Sequence, residues 1–240
     1  MSDHLGPYEL DTIVTGDARE LAKAIPDESI DLVLTDPPFG IGFDYGDGFK
    51  DVPAMYPALI EWLISESNRL IKPGGMCFVF VPQPQLRHIW PLFPEDSRIF
   101  AACKNFVQMR AIPVQYSYDP VIFWKKAGAY GKENKGRDWH IGNTAATNSR
   151  GLNHADHVCP RPVDTILYMV DNFSPYGGVV ADFFMGSGTT AIASNILGRR
   201  WWGCEIDPEV AERARERVRN TQPPLFVDVP QQLSYLETMP

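Results

Sequence analysis

Six short apolar runs, most of them followed by a turn and a helical pattern, constrain this chain more than any other feature. They are ELDTIV (9–14), SIDLVLT (29–35), MCFVFV (76–81), VIFWKK (121–126), GVVADF (178–183) and RWWGCEI (200–206). Apolar residues recur at helical spacing near 17–25, 53–71, 161–173, 189–197 and 208–219. In the second of these, Leu59, Ile60, Leu63, Ile64 and Leu70 share a side, and KPGG (72–75) is expected to stop the helix. Strands joined by helices run parallel, with right-handed crossovers and helices packed on the sheet. The expectation is one α/β sheet, and 240 residues are enough to bury its core.

The middle of the chain departs from this rhythm. Residues 127–160 are rich in Gly, Asn, Lys and His with almost no apolar periodicity, which predicts a long functional or disordered loop. Charge is uneven as well. Residues 98–161 hold ten Lys/Arg against four Asp/Glu, whereas the whole chain has a net charge of −8. A basic segment on an acidic body suits a local phosphate-facing surface or a solvated loop, and charge alone favours neither. No apolar run is long enough to span a bilayer, and the polar, acidic start does not resemble a targeting peptide. The four cysteines lie far apart with no C-x-x-C pair, which reads as reduced, cytoplasmic thiols.

Two strand ends carry chemistry. DFFMGSGTTA (182–191) joins a strand to a helix through glycines, where backbone must approach a ligand closely. Gly186, Gly188 and Ala191 satisfy G-x-G-x-x-[G/A], and Glu205 ends the next strand where a dinucleotide site places its ribose acid, so NAD is one reading. Asp182, just before the loop, opposes a pyrophosphate but suits a cationic ligand. S-adenosylmethionine has an ammonium, a sulfonium and no phosphate, and its ribose still needs an acceptor such as Glu205. The other end is LVLTDPPFG (32–40), where a buried strand meets an acid, two prolines and an aromatic ring. Methylating an exocyclic amine calls for two rigid acceptors of its N–H groups. Asp36 and the Pro37 carbonyl can supply them, with Pro37 and Pro38 limiting their drift. Phe39 offers a face for a flipped base, where stacking contributes about 1–3 kcal/mol.

TDPPFG (35–40) resembles the D/N/S-P-P-Y/F motif of DNA methyltransferases that act on amino groups. DFFMGSGTT (182–190) is similar to their cofactor motif, GCEIDPE (203–209) to their G-x-E-x-D element, and HVCPRPVDTI (157–166) to their H-P-x-x-K-P segment. GDARELAKAIPDESIDLVLTDPPFG (16–40) resembles the family's usual opening. The catalytic motif precedes the cofactor motif, the order of the circularly permuted β group. The resemblance implies a Rossmann-like, seven-stranded, circularly permuted methyltransferase sheet with a small target-recognition insertion. Residues 1–84 and 157–220 would form the two halves of one domain, 85–156 scaffold strands plus the insertion, and 221–240 a tail.

The resemblance assigns Asp36, Pro37, Pro38 and Phe39 to the target base. It assigns Asp182, Phe184, Gly186, Ser187, Gly188 and Thr189 to the methionine end of S-adenosylmethionine and Glu205 to its ribose, with Asp17 and Arg161 at the pocket's edge. Lys125, Lys126, Lys132, Lys135, Arg137 and Arg150 become collective candidates for phosphate contact with double-stranded DNA. Phe183 stands where the family has proline, so rigidity there must come from packing. Adenine N6 is the expected target, with cytosine N4 as the alternative and a non-catalytic nucleic-acid-binding partner as a further one. A homodimer is compatible with the sequence, a nuclease partner is not specified by it, and no membrane association is expected. His154, His157 and Cys159 have a spacing that could seed a zinc site, but no fourth ligand is evident and the chemistry needs no metal.

Overall fold

The computed structural model describes residues 3–40, 52–108, 113–129, 136–142 and 161–221, without the side chains of 106–108. Its strands are β1 (His4–Leu5), β2 (Tyr8–Glu9), β3 (Thr12–Thr15), β4 (Ile30–Thr35), β5 (Ile71–Phe80), β6 (Arg98–Gln108), β7 (Tyr116–Lys125), β8 (Trp139–Gly142), β9 (Val179–Asp182) and β10 (Arg200–Glu205). Its α-helices are α1 (Ala18–Leu21), α2 (Tyr56–Leu70), α3 (Leu86–Ile89), α4 (Val163–Phe173), α5 (Thr189–Ile196) and α6 (Pro208–Asn220). β1 and β2 form a small antiparallel ribbon, and the other eight strands form one sheet in the order β3-β10-β9-β4-β5-β7-β6-β8. Only β7 opposes the rest, pairing antiparallel with β5 and β6. The expected seven strands are thus joined by an eighth. β8 comes from the 127–160 segment and pairs parallel with β6, Ala101 opposite Trp139.

Side-chain alternation builds both cores. On β5, Cys77 and Val79, with Val81 just past the strand, enter the cluster containing α2's Ile60 and Leu63, while Met76, Phe78 and Phe80 enter the one containing α4's Ile166 and Met169. Such near-continuous apolar strands are what a sheet covered on both faces requires. Trp201 and Trp202 follow the same rule, one in each cluster.

KPGG behaves differently from expectation. α2 ends at Leu70, where the Ile71 N–H donates to the Ser67 carbonyl, and KPGG lies within β5. The β4–β5 register jumps there, from Ile30 opposite Ile71 to Leu32 opposite Met76. Pro73 therefore sits in a bulge, where its missing N–H costs no ladder bond. The helix expected over 17–25 is a four-residue α1 followed by a 3₁₀ turn at Ala22–Ala24.

Candidate active site

The strands that end in the candidate residues are neighbours. In the order β3-β10-β9-β4, all parallel, their C-terminal ends carry Asp17, Glu205, the 183–188 loop and Asp36 along one edge. Three strand spacings of about 4.8 Å make this edge about 14 Å long. In open α/β sheets ligands bind outside such an edge.

Beyond the β4–β9 pairing, one side chain ties the ends of the two motif strands together. Thr35, the last residue of β4, donates from Oγ1 to Asp182 Oδ1 at 2.7 Å and accepts from the Phe183 N–H at 3.2 Å. Asp182 also accepts from Thr190 Oγ1 at 2.7 Å and the Phe184 N–H at 3.1 Å. Asp182 is only 4% exposed. Burial pushes its pKa up to about 6, against the pull of these donors, and the nearby Asp36 charge pushes the same way. Its carboxylate is thus engaged within the protein, and its charge is adjustable.

Local sequence explains the loop. Gly188 caps α5 at φ +80°, in the left-handed region that side chains resist. Gly203 on β10 lets Met185 lie against the strand, because a Cβ there would fall 1.9 Å from Met185 Cε. Phe183 meets Trp62 and Trp202 edge-on at 5.8 and 6.1 Å, which supplies packing where a proline would stiffen the chain. From α6, Arg217 Nη1 donates to the Ser187 carbonyl at 2.7 Å and to Thr189 Oγ1 at 3.1 Å, bracing the turn. Glu205 accepts from the Gly186 N–H at 2.9 Å and the Asp207 N–H at 3.1 Å, and burial raises its pKa. Asp17 caps α1 through the Arg19 N–H and holds the Arg19 side chain, whose hydrogen bonds lower its pKa.

Asp36 has a partner drawn from a distant part of the chain. Arg161 grips its carboxylate side-on, Nε to Oδ2 at 2.7 Å and Nη2 to Oδ1 at 3.0 Å. The third arm, Nη1, donates to Asp119 Oδ2 at 2.5 Å, and Lys104 Nζ lies 2.9 Å from Asp119 Oδ1. The guanidinium carbon stands 4.7 Å from the Phe80 ring centroid and 5.5 Å from that of Phe39. Arg161 was expected at the cofactor pocket's edge, but its guanidinium lies on Asp36. Its family motif pointed to the site, but nothing in the sequence spacing singled out Asp119 or Lys104.

The basic candidates do not gather at this edge. Lys125 pairs with Met76, which is level with Leu32, about 13 Å below Asp36 along the strand direction. Its Nζ donates to the Gly128 carbonyl, while Lys126 Nζ bonds the Ile71 carbonyl and Glu28 at the N-terminal end of the parallel strands. Both thus lie away from the strand ends that carry Asp36. Arg137 lies 5.4 Å from the Trp139 ring centroid beside α4. Lys132, Lys135 and Arg150 lie outside the described residues, as do His154, His157 and Cys159. Among the described residues no group of three His, Cys, Asp or Glu could hold a metal ion, and no helix is long and apolar enough to cross a membrane.

This geometry is that of the open α/β proteins that bind ligands outside the C-terminal ends of parallel strands. The family model described as DNA methylase matches residues 30–216, and the chain belongs to that family. It is 27% identical to the type II methyltransferase M.BamHI of Bacillus amyloliquefaciens over 89% of its length, and spans 59% of that relative. In fold it is similar to the cytosine-N4-specific PvuII DNA methyltransferase, with a TM-score of 0.68, 18% identity and 85% of each chain covered. It is also similar to a DNA modification methylase of Thermus thermophilus complexed with S-adenosylmethionine. There the TM-score is 0.63 and the identity 23%, covering 90% of this chain and 95% of the other.

Proposed function

We propose that the chain is an S-adenosylmethionine-dependent DNA methyltransferase acting on an exocyclic amino group, with adenine N6 as the target. The observation that carries this reading is the parallel pairing of β4 with β9, locked by the Thr35–Asp182 hydrogen bond, which sets Asp36 and the glycine loop at the ends of adjacent strands. The order of these elements along the chain is that of the circularly permuted group. The residues fit the cofactor: the edge carries Glu205 for a ribose, the buried charge of Asp182 and the nearby Asp17 favour a cationic ligand, and glycines stand where backbone must come close. When bound, S-adenosylmethionine supplies a methyl group on a positively charged sulfur.

The chain's own residues would do the rest by positioning. The Asp36 carboxylate and Pro37 carbonyl accept the two N–H groups of the target amine, favouring a tetrahedral nitrogen. Phe39 stacks on the flipped base, offsetting an extrusion cost of a few kcal/mol. Cytosine N4 needs the same acceptors, and it is the base named for the PvuII relative. The aspartate that opens the motif supports adenine. Double-stranded DNA is the proposed partner, and the chain would act in the cytoplasm, alone or as a homodimer. Transfer of tritiated methyl groups to DNA, followed by nucleoside analysis, tests the reading. N6-methyladenine is expected, N4-methylcytosine would correct the base, and no transfer by the full chain would refute the proposal.

A further inference from the structure

Two prolines restrain the backbone at Asp36, but they leave its carboxylate free to turn. The terminal torsion of aspartate is broad and roughly two-fold, so an unheld carboxylate samples many orientations. An acceptor for a reacting amine cannot be so loosely aimed. The structure contains a separate device for the side chain. Arg161 meets both Asp36 oxygens with Nε and Nη2, the planar fork geometry that fixes a carboxylate in its own plane.

We propose that Arg161 is a positioning residue that aims the Asp36 carboxylate at the target amine, and that Asp119 holds Arg161 for this task. The inference rests on the methyltransferase reading of Asp36. Each carboxylate oxygen has two lone-pair directions, and the fork uses one on each, so the carboxylate can still accept an N–H from the base. The anchors of Arg161 come from four separate elements. Asp119 on β7 takes Nη1, Lys104 on β6 balances Asp119, and Phe80 on β5 lies under the guanidinium; Pro162, next in the chain, caps α4. Charges alternate along Asp36–Arg161–Asp119–Lys104, so the half-buried guanidinium, 18% exposed, is matched on both sides. A cavity of about 10 Å³, room for one water, lies between Arg161, Asp119 and Lys104.

The competing reading is a plug: a planar donor on Asp36 near Phe39 stands where a flipped amine would, and would have to leave. The Phe80 and Asp119 contacts argue against it, because leaving Asp36 would disturb both.

Single-turnover methyl transfer by full-chain variants separates the two readings. Arg161→Ala should slow transfer about 100-fold, the cost of misplacing a reacting group, with cofactor and DNA dissociation constants within about threefold of wild type. Arg161→Lys, a point charge without the fork, should recover about tenfold of that loss. Guanidinium ion in the medium should partly restore Arg161→Ala but not Asp36→Ala. Asp119→Asn should lose about tenfold and serves if Arg161→Ala does not fold. An unchanged or faster rate in Arg161→Ala, or in Asp119→Asn if that variant must stand alone, would overturn the inference in favour of a plug. If Asp36→Ala itself still transfers methyl groups, the reading of Asp36 fails instead. Inactive Asp36→Ala beside fully active Arg161→Ala would sink this inference alone.

Discussion

Asp36 and Asp182 end adjacent parallel strands, yet their surroundings are opposite. Asp182 is almost wholly buried among neutral donors, two threonine hydroxyls and a backbone N–H, and its ionisation is pushed up to about 6. The Asp36 side chain is 29% exposed and its charge is met by a guanidinium. Identical side chains at one sheet edge are thus prepared for different work. One welds two strands, and the other, in the function proposed above, presents acceptors to an incoming group.

The most severe test of this contrast is truncation on each side. Asp36→Ala should lower methyl transfer by about 10²–10³-fold while leaving cofactor affinity and folding stability near wild type, read by single-turnover kinetics and calorimetry. Asp182→Ala should act on the fold as well. It leaves Thr35, Thr190 and the Phe184 N–H without their acceptor, and should cost about 2–4 kcal/mol in urea denaturation. If both variants lost only activity, the division of labour would be wrong.

The raised pKa of Asp182 gives a prediction with a definite sign. Between the ordinary carboxylate range and about 6, the folded protein holds a proton that the unfolded chain has released. That stabilising contribution is full below about pH 4 and lost as pH rises through about 6, amounting to about 1–3 kcal/mol. A cationic ligand prefers the ionised form, so cofactor affinity should strengthen over the same interval, about tenfold from pH 5 to pH 7. Titration calorimetry at the two pH values, with Asp182→Asn as the flat control, checks the direction. Gly188→Ala should be milder, about 1–2 kcal/mol from forcing a side chain to φ +80°, measured by thermal denaturation. Smallest of all, replacing Lys125 and Lys126 by alanine should change DNA affinity less than about twofold and leave its salt slope unaltered, since both lie away from the strand ends that carry Asp36.

Legibility in the sequence followed locality. The strands ending in Thr35 and Asp182, and the turn through Gly188, are written in contiguous residues whose spacing and glycines specify a strand-to-helix joint. Pro73 misled because a proline after a helix reads as a stop, whereas a register shift can absorb it inside a strand. β8 was missed because WHIG is four residues in a polar stretch, and its parallel partner β6 lies more than thirty residues upstream. The position of Lys125 and Lys126, away from the Asp36 end of the sheet, was not legible because charge counting says nothing about which end of an antiparallel strand faces a ligand. The Arg161–Asp119–Lys104 chain was out of reach for the same reason: its members come from three segments brought together only by the sheet order.

The proposed function requires Asp36 and the 183–188 loop to face one ligand. A crystal structure with S-adenosylmethionine bound would test it most directly. The methionine end is expected against residues 184–189, the ribose on Glu205, and the methyl carbon turned toward the Asp36 carboxylate. A methyl group directed to the other face of the sheet, away from Asp36, would contradict it.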